Sequence, residues 1–208
     1  MIPVYSGYSK LTTRFGYNSR ILEAIKWHYK ICKDAISDGQ LNSKLWLLDR
    51  IKGIDLGTVF ICAGWYGILA TMMFEDENIY VDKIRSFDLD DNCWKIAEDF
   101  NRPWTKDNWK FKASTLDITT MQFPTKYKTY RANGTSLILD EMPDTIINTS
   151  CEHIENFTKW FNAIPKDKLV ALQTNNYFDL PEHVNCVKDI NQFKQQAPLN
   201  NIIYEGEL

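Results

Sequence analysis

The run Thr58-Val59-Phe60-Ile61-Cys62-Ala63 is short, apolar and rich in strand formers. It passes through Gly64, Trp65 and Gly67 into a second apolar run ending at Phe74. A few such residues bounded by a glycine turn read as a strand buried on both faces, and residues 66–74 read as a helix. From here the chain keeps alternating. Strands are expected over 83–89, 109–114, 145–149 and 168–174, helices over 91–100, 151–163 and 189–196, and a final strand over 201–205. Alternating strands and helices bury a parallel sheet between helical layers, so the expected class is α/β, a doubly wound mainly parallel sheet.

Two regions depart from this rhythm. Ahead of it, Ile21, Leu22, Ile25, His28, Tyr29 and Cys32 recur at helical spacing, predicting a helix over 19–38. A second helix is expected over 42–52, stopped by Gly53. Residues 1–56 are thus an N-terminal arm with two helices, packed on the core or forming a lid, and 57–208 are the core of one structural domain. Between 117 and 144 the stretch "YKTYRANGTSLILDE" reads as two strands around the Asn133-Gly134 turn. A short strand over 183–187 would give the last strand a partner.

Composition narrows the function classes. Hydrophobic residues make up 44% and net charge is −3, so binding driven by phosphate neutralisation is not implied. The longest apolar stretch, 59–73, is too short and too interrupted to span a bilayer, and the first twenty residues hold no secretory apolar core. Five scattered cysteines without a C-x-x-C pair read as reduced thiols of a cytoplasmic protein. The three histidines are too few for a His-rich metal cluster.

In a doubly wound sheet, ligands sit outside the carboxyl ends of the strands, near the first strand–turn–helix. Gly64 and Gly67 occupy that turn. Asp88 closes the next strand, 21 positions after Gly67, where a carboxylate accepts both ribose hydroxyls of an adenosine-containing cofactor. Asp117 follows the third strand. It is placed to accept from an adenine amino group or to close an Asx turn.

These residues, with "DTIINTSCEHIENF" as a fourth-strand segment, resemble the class I S-adenosylmethionine-dependent methyltransferases over Gly57 to Glu205. The resemblance implies a Rossmann-like methyltransferase fold that usually ends in an antiparallel strand pair. It implies an S-adenosylmethionine site built from Ala63, Gly64, Trp65, Gly67, Asp88, Leu89, Asp117 and Ile118, with Asn148 lining its mouth. Phe60 stands where most members carry an acidic residue, Cys62 and Tyr66 stand at positions often held by glycine, and the Asn133 hairpin replaces a helix.

Methyl transfer needs a positioned nucleophile and, for many acceptors, a base at the mouth of the site. His153 is the candidate base, with Glu152 orienting it or binding a substrate cation; both also suit the first turn of a helix. Some methyltransferases hold a divalent ion with a Glu-x-x-Glu-His-x-x-x-His segment. Here Thr149 and Phe157 replace its first and last residues, so no metal is expected. Tyr5, Tyr8, Arg14, Phe15 and Tyr17 lie on an arm that either closes over the cofactor or packs on the core. Trp104 and Trp109, interleaved with lysines, read as a solvated loop with core tryptophans. The expected function is methyl transfer to a small-molecule acceptor. The alternatives are a non-catalytic interaction module on the same fold and, given the incomplete G-x-G-x-x-G, a nicotinamide-dependent oxidoreductase.

Overall fold

The computed structural model describes residues 6–27 and 31–208. Five strands, β1 (Thr58–Cys62), β2 (Lys83–Asp88), β3 (Phe111–Thr115), β6 (Thr145–Asn148) and β7 (Leu169–Leu172), form one sheet in the order β3-β2-β1-β6-β7. Every neighbouring pair is parallel. A separate antiparallel hairpin joins β4 (Thr125–Tyr130) to β5 (Ser136–Glu141) across the expected Asn133-Gly134 turn.

Alternation along each strand divides the core into two layers. Val59, Ile61, Ile84 and Ile147 face one cluster, while Phe60, Cys62, Phe87 and Ile146 face the other. The first cluster is roofed by α1 (Ser6–Phe15), α2 (Arg20–Trp27), α3 (Asp38–Ile51), α4 (Ile68–Glu75) and α5 (Cys93–Phe100), through Leu11, Ile21, Leu48, Met72 and Ala97. The second is closed by Tyr127 of the hairpin, by α7 (Phe157–Ala163) and by α8 (Ile190–Gln196). A short helix, α6 (Arg102–Lys106), with proline in its first turn, precedes β3.

Several expected elements differ, each for a local reason. Within the helix expected over 19–38 the structure describes α2 and a 3-10 turn, Lys33–Ile36, and His28 and Tyr29 lie outside the described residues. Ser37, inside that expected span, instead caps α3 by accepting from the Gln40 amide, so α3 starts four residues earlier than expected. The arm forms α1, and Arg14 is spent on ion pairs with Asp49 and Asp76 rather than on the cavity. The helix expected over 151–163 breaks into a 3-10 turn, Cys151–His153, and α7. Asn185 causes the break: its backbone and side-chain amides take the carbonyls of Glu152 and Cys151 at 2.8 and 3.1 Å. Residues 183–187 and 201–205 form no strand. In the tail, side chains replace ladder bonds: Tyr204 packs edge-on to Trp46, Lys194 pairs with Glu205, and Glu207 accepts from the Ile190 amide. Among the described residues no helix is long and apolar enough to cross a membrane.

Candidate functional site

The chain runs outward from β1 to β3 and returns to β6 on the other side of β1, so the strand order reverses between β1 and β6. Crevices form outside the carboxyl ends of strands at such a reversal. A cavity of about 2280 Å³ opens there. Ala63, Trp65, Asp88, Leu89, Asp117 and Ile118 line it, and so do Glu152 and His153.

The loop after β1 is tightly constrained. Ala63 and Trp65 adopt left-handed backbone, with φ of 57° and 48°, which costs a non-glycine residue roughly 1–2 kcal/mol. Asp88 helps hold it there: Oδ2 accepts from the Trp65 amide at 2.7 Å, and Oδ1 accepts from the Asp90 amide at 3.0 Å. Burial raises the Asp88 carboxyl above its ordinary range, against the pull of the surrounding amides. A carboxylate has four acceptor directions, so two backbone bonds leave capacity for a ligand's hydroxyls.

Both glycines are also required by packing. A Cβ on Gly64 would overlap the Ser86 hydroxyl, and one on Gly67 would come within 2.8 Å of the Asn101 amide nitrogen. Gly67 also sits at φ 71°. Close packing on β2 and α5 demands both residues, and neither lines the large cavity. Asn148 lies just beneath the mouth of the cavity. It is fully buried, its Oδ1 accepts from the Ser150 amide at 2.8 Å, and Thr149 and Ser150 line the mouth in its place. Tyr66 stacks on Trp65 with ring centroids 4.8 Å apart and turns into a small hollow beneath, beside Gln40 and Lys44. The crevice is therefore not blocked by the ring at 66. Asp117 realises its Asx alternative, Oδ1 accepting from the Thr119 amide and hydroxyl at 2.9 and 2.7 Å, while the residue still faces the cavity.

At the other end of the crevice, Glu152 is buried, and burial pushes its carboxyl up. His153 Nε2 lies 3.8 Å from Glu152 Oε1. Two residues join this end that no sequence spacing announced. His183 stands edge-on to His153 with ring centroids 4.7 Å apart, brought in from thirty positions downstream. Lys44 of α3 is lowered to about 8 by burial, which outweighs the charges of Glu152 and Asp34, and its Nζ donates to Gln40 Oε1 at 2.5 Å.

No family model and no curated protein matches the sequence. Solved structures do. The chain aligns with YcgJ of Bacillus subtilis at TM-score 0.52 and 12% identity, covering 74% of this chain and 65% of that one. It aligns with the small RNA methyltransferase HEN1 at 0.53 and 16% identity, covering 76% and 20%. A third structure is Haemonchus contortus phosphoethanolamine N-methyltransferase 2 in complex with phosphomonomethylethanolamine and S-adenosylhomocysteine, at 0.52 and 16% identity, covering 95% and 45%. The chain shares the Rossmann-like, mainly parallel α/β fold of these methyltransferase structures. It spans less than two thirds of each of these three neighbours. Within this methyltransferase fold, the reversal point and the β2 carboxylate coincide in one crevice.

Proposed function

We propose that the protein is an S-adenosylmethionine-dependent methyltransferase acting on a small-molecule acceptor. The observation that carries this reading is Asp88. A partly buried carboxylate at the tip of β2 braces the strained β1 loop and opens onto the cavity with acceptor capacity to spare. Next to it Leu89 is 72% exposed, an apolar side chain that a flat base would cover, and Asp117 stands one strand further out. When bound, S-adenosylmethionine supplies a methyl group already activated on sulfonium sulfur. The chain's own residues then have the lesser tasks of gripping the ribose at Asp88, seating adenine between Leu89 and Ile118, and holding the acceptor near Glu152 and His153.

Thermal unfolding with S-adenosylmethionine, S-adenosylhomocysteine and NAD tests this. Ligand at about 100 times its Kd stabilises the folded state by about 2.7 kcal/mol, a rise of roughly 5–10 °C for a chain of this size. The expected result is a rise with the first two alone that Asp88→Ala abolishes. No rise with any ligand returns the protein to a non-catalytic module, and a rise with NAD alone returns it to an oxidoreductase.

A further inference from the structure

We infer that Glu152, His153 and His183 form a binding site for a divalent transition-metal ion at the acceptor end of the cavity. One ligand atom from each residue lies within 4.8 Å of the others. An ion with bonds of about 2.0–2.2 Å needs its ligands about 3.0–3.6 Å apart, so side-chain rotations of about 1 Å close the site.

The imidazoles are already oriented for ligation. His153 Nδ1 lies 3.1 Å from the Glu182 carbonyl oxygen, and His183 Nδ1 lies 2.7 Å from the Tyr177 carbonyl oxygen. A carbonyl only accepts, so both Nδ1 atoms carry a proton, and in the neutral ring each Nε2 is then the nitrogen with the lone pair. Ligating histidines are held in this way, with the far nitrogen donating to a backbone carbonyl. Glu152 supplies an independent sign. It is 4% exposed, and its Oε2 is buried without a hydrogen-bond partner. Buried carboxylates are paired or bind metal, yet Lys44, whose charge acts on Glu152, donates to Gln40 instead.

The three residues come from two segments locked together. Asn185 ties the loop carrying His183 to the 3-10 turn carrying Glu152 and His153. Cys186 Sγ holds that loop's base, donating to the Tyr177 carbonyl and Asn175 Oδ1, both at 3.2 Å. This site is not the contiguous Glu-x-x-Glu-His-x-x-x-His arrangement, because its third ligand is supplied by the fold. Two imidazoles and one carboxylate suit zinc, manganese, iron or cobalt better than magnesium. Three protein ligands leave positions open, as in sites that bind an exchangeable group, and all three residues line the cavity.

The test is a titration of the chelator-stripped chain with Co²⁺, read by visible absorption, with Zn²⁺ as competitor. One Co²⁺ per chain is expected, together with a shift of the Nε2 resonances of His153 and His183. His183→Gln is expected to weaken binding at least tenfold while leaving the metal-free unfolding temperature in place. Absence of saturable binding at millimolar Co²⁺, Zn²⁺ and Mn²⁺ overturns the inference, as does binding that His183→Gln leaves untouched. None of these readouts depends on methyl transfer.

Discussion

The β1–β3 wing of the sheet is held by its interior, whereas the wing beyond β6 is held by its surface. In the first wing Phe60, Phe87 and Tyr127 pack edge to face with centroids 5.0 Å apart. Arg85, 2% exposed, donates from Nε and Nη2 to Glu141 of the hairpin at 2.6 and 2.9 Å. In the second wing all four residues of β7 are only partly buried and no strand follows among the described residues. The tail crosses to α3, where Tyr204 meets Trp46 and the Arg50 guanidinium. The difference teaches that the Asp88 end of the crevice is built into close-packed strands, while the Glu152 end is built from turns and a loop that side chains pin together.

The largest expected effect tests the interior tie. Glu141→Gln removes the charge opposite a buried guanidinium, a change that typically costs about 3–5 kcal/mol, and somewhat less here because Glu141 is partly exposed. The same residue sets a pH signature. Burial works against its ionisation, but the hydrogen bonds from Arg85 and Tyr127 prevail and hold its carboxyl below the ordinary glutamate range. A depressed folded-state pKa contributes stability above the unfolded value, and that contribution is lost as pH falls through the folded one. Urea unfolding between pH 7 and pH 3 should therefore show an acid slope that is shallower in Glu141→Gln.

Next in size is Gly64→Ala. Overpacking against Ser86 is expected to cost about 1–3 kcal/mol, lowering Tm by roughly 3–10 °C, and Ser86→Gly in the same chain should recover part of it. Recovery by the second substitution would sharpen the comparison, because it would trace the glycine to strand packing rather than to ligand approach. The smallest effect is expected on the other wing. Tyr204→Ala loses one edge-on aromatic contact and one cation–π contact at a partly exposed site, at most about 1.5 kcal/mol in denaturant unfolding. If Tyr204→Ala destabilised as much as Glu141→Gln, the contrast between the wings would be wrong.

Much of the fold was legible because short strand segments bounded by turn residues alternate with helical patterns along the chain. Thr58–Cys62, Lys83–Asp88 and Thr145–Asn148 fall within or close to the expected bounds, and the Asn133-Gly134 hairpin follows from local turn chemistry. Asp88 was legible for the same reason, since its place depends only on strand length and register. The Glu152 end of the crevice was not. A helix pattern over 151–163 is satisfied by local spacing, and only Asn185, taking two carbonyls from a distance, breaks it.

The sequence by itself determined the strand–helix order, the two-sided core and the carboxylate at the second strand tip, because each rests on periodicity within a few neighbouring residues. Only the tertiary structure decided that Gly64 and Gly67 answer to packing, that Asn148 is buried beneath the mouth, that residues 201–205 clasp α3 instead of extending the sheet, and that His183 meets Glu152 and His153. Those outcomes depend on contacts between segments tens of residues apart, and such contacts leave no local period to read.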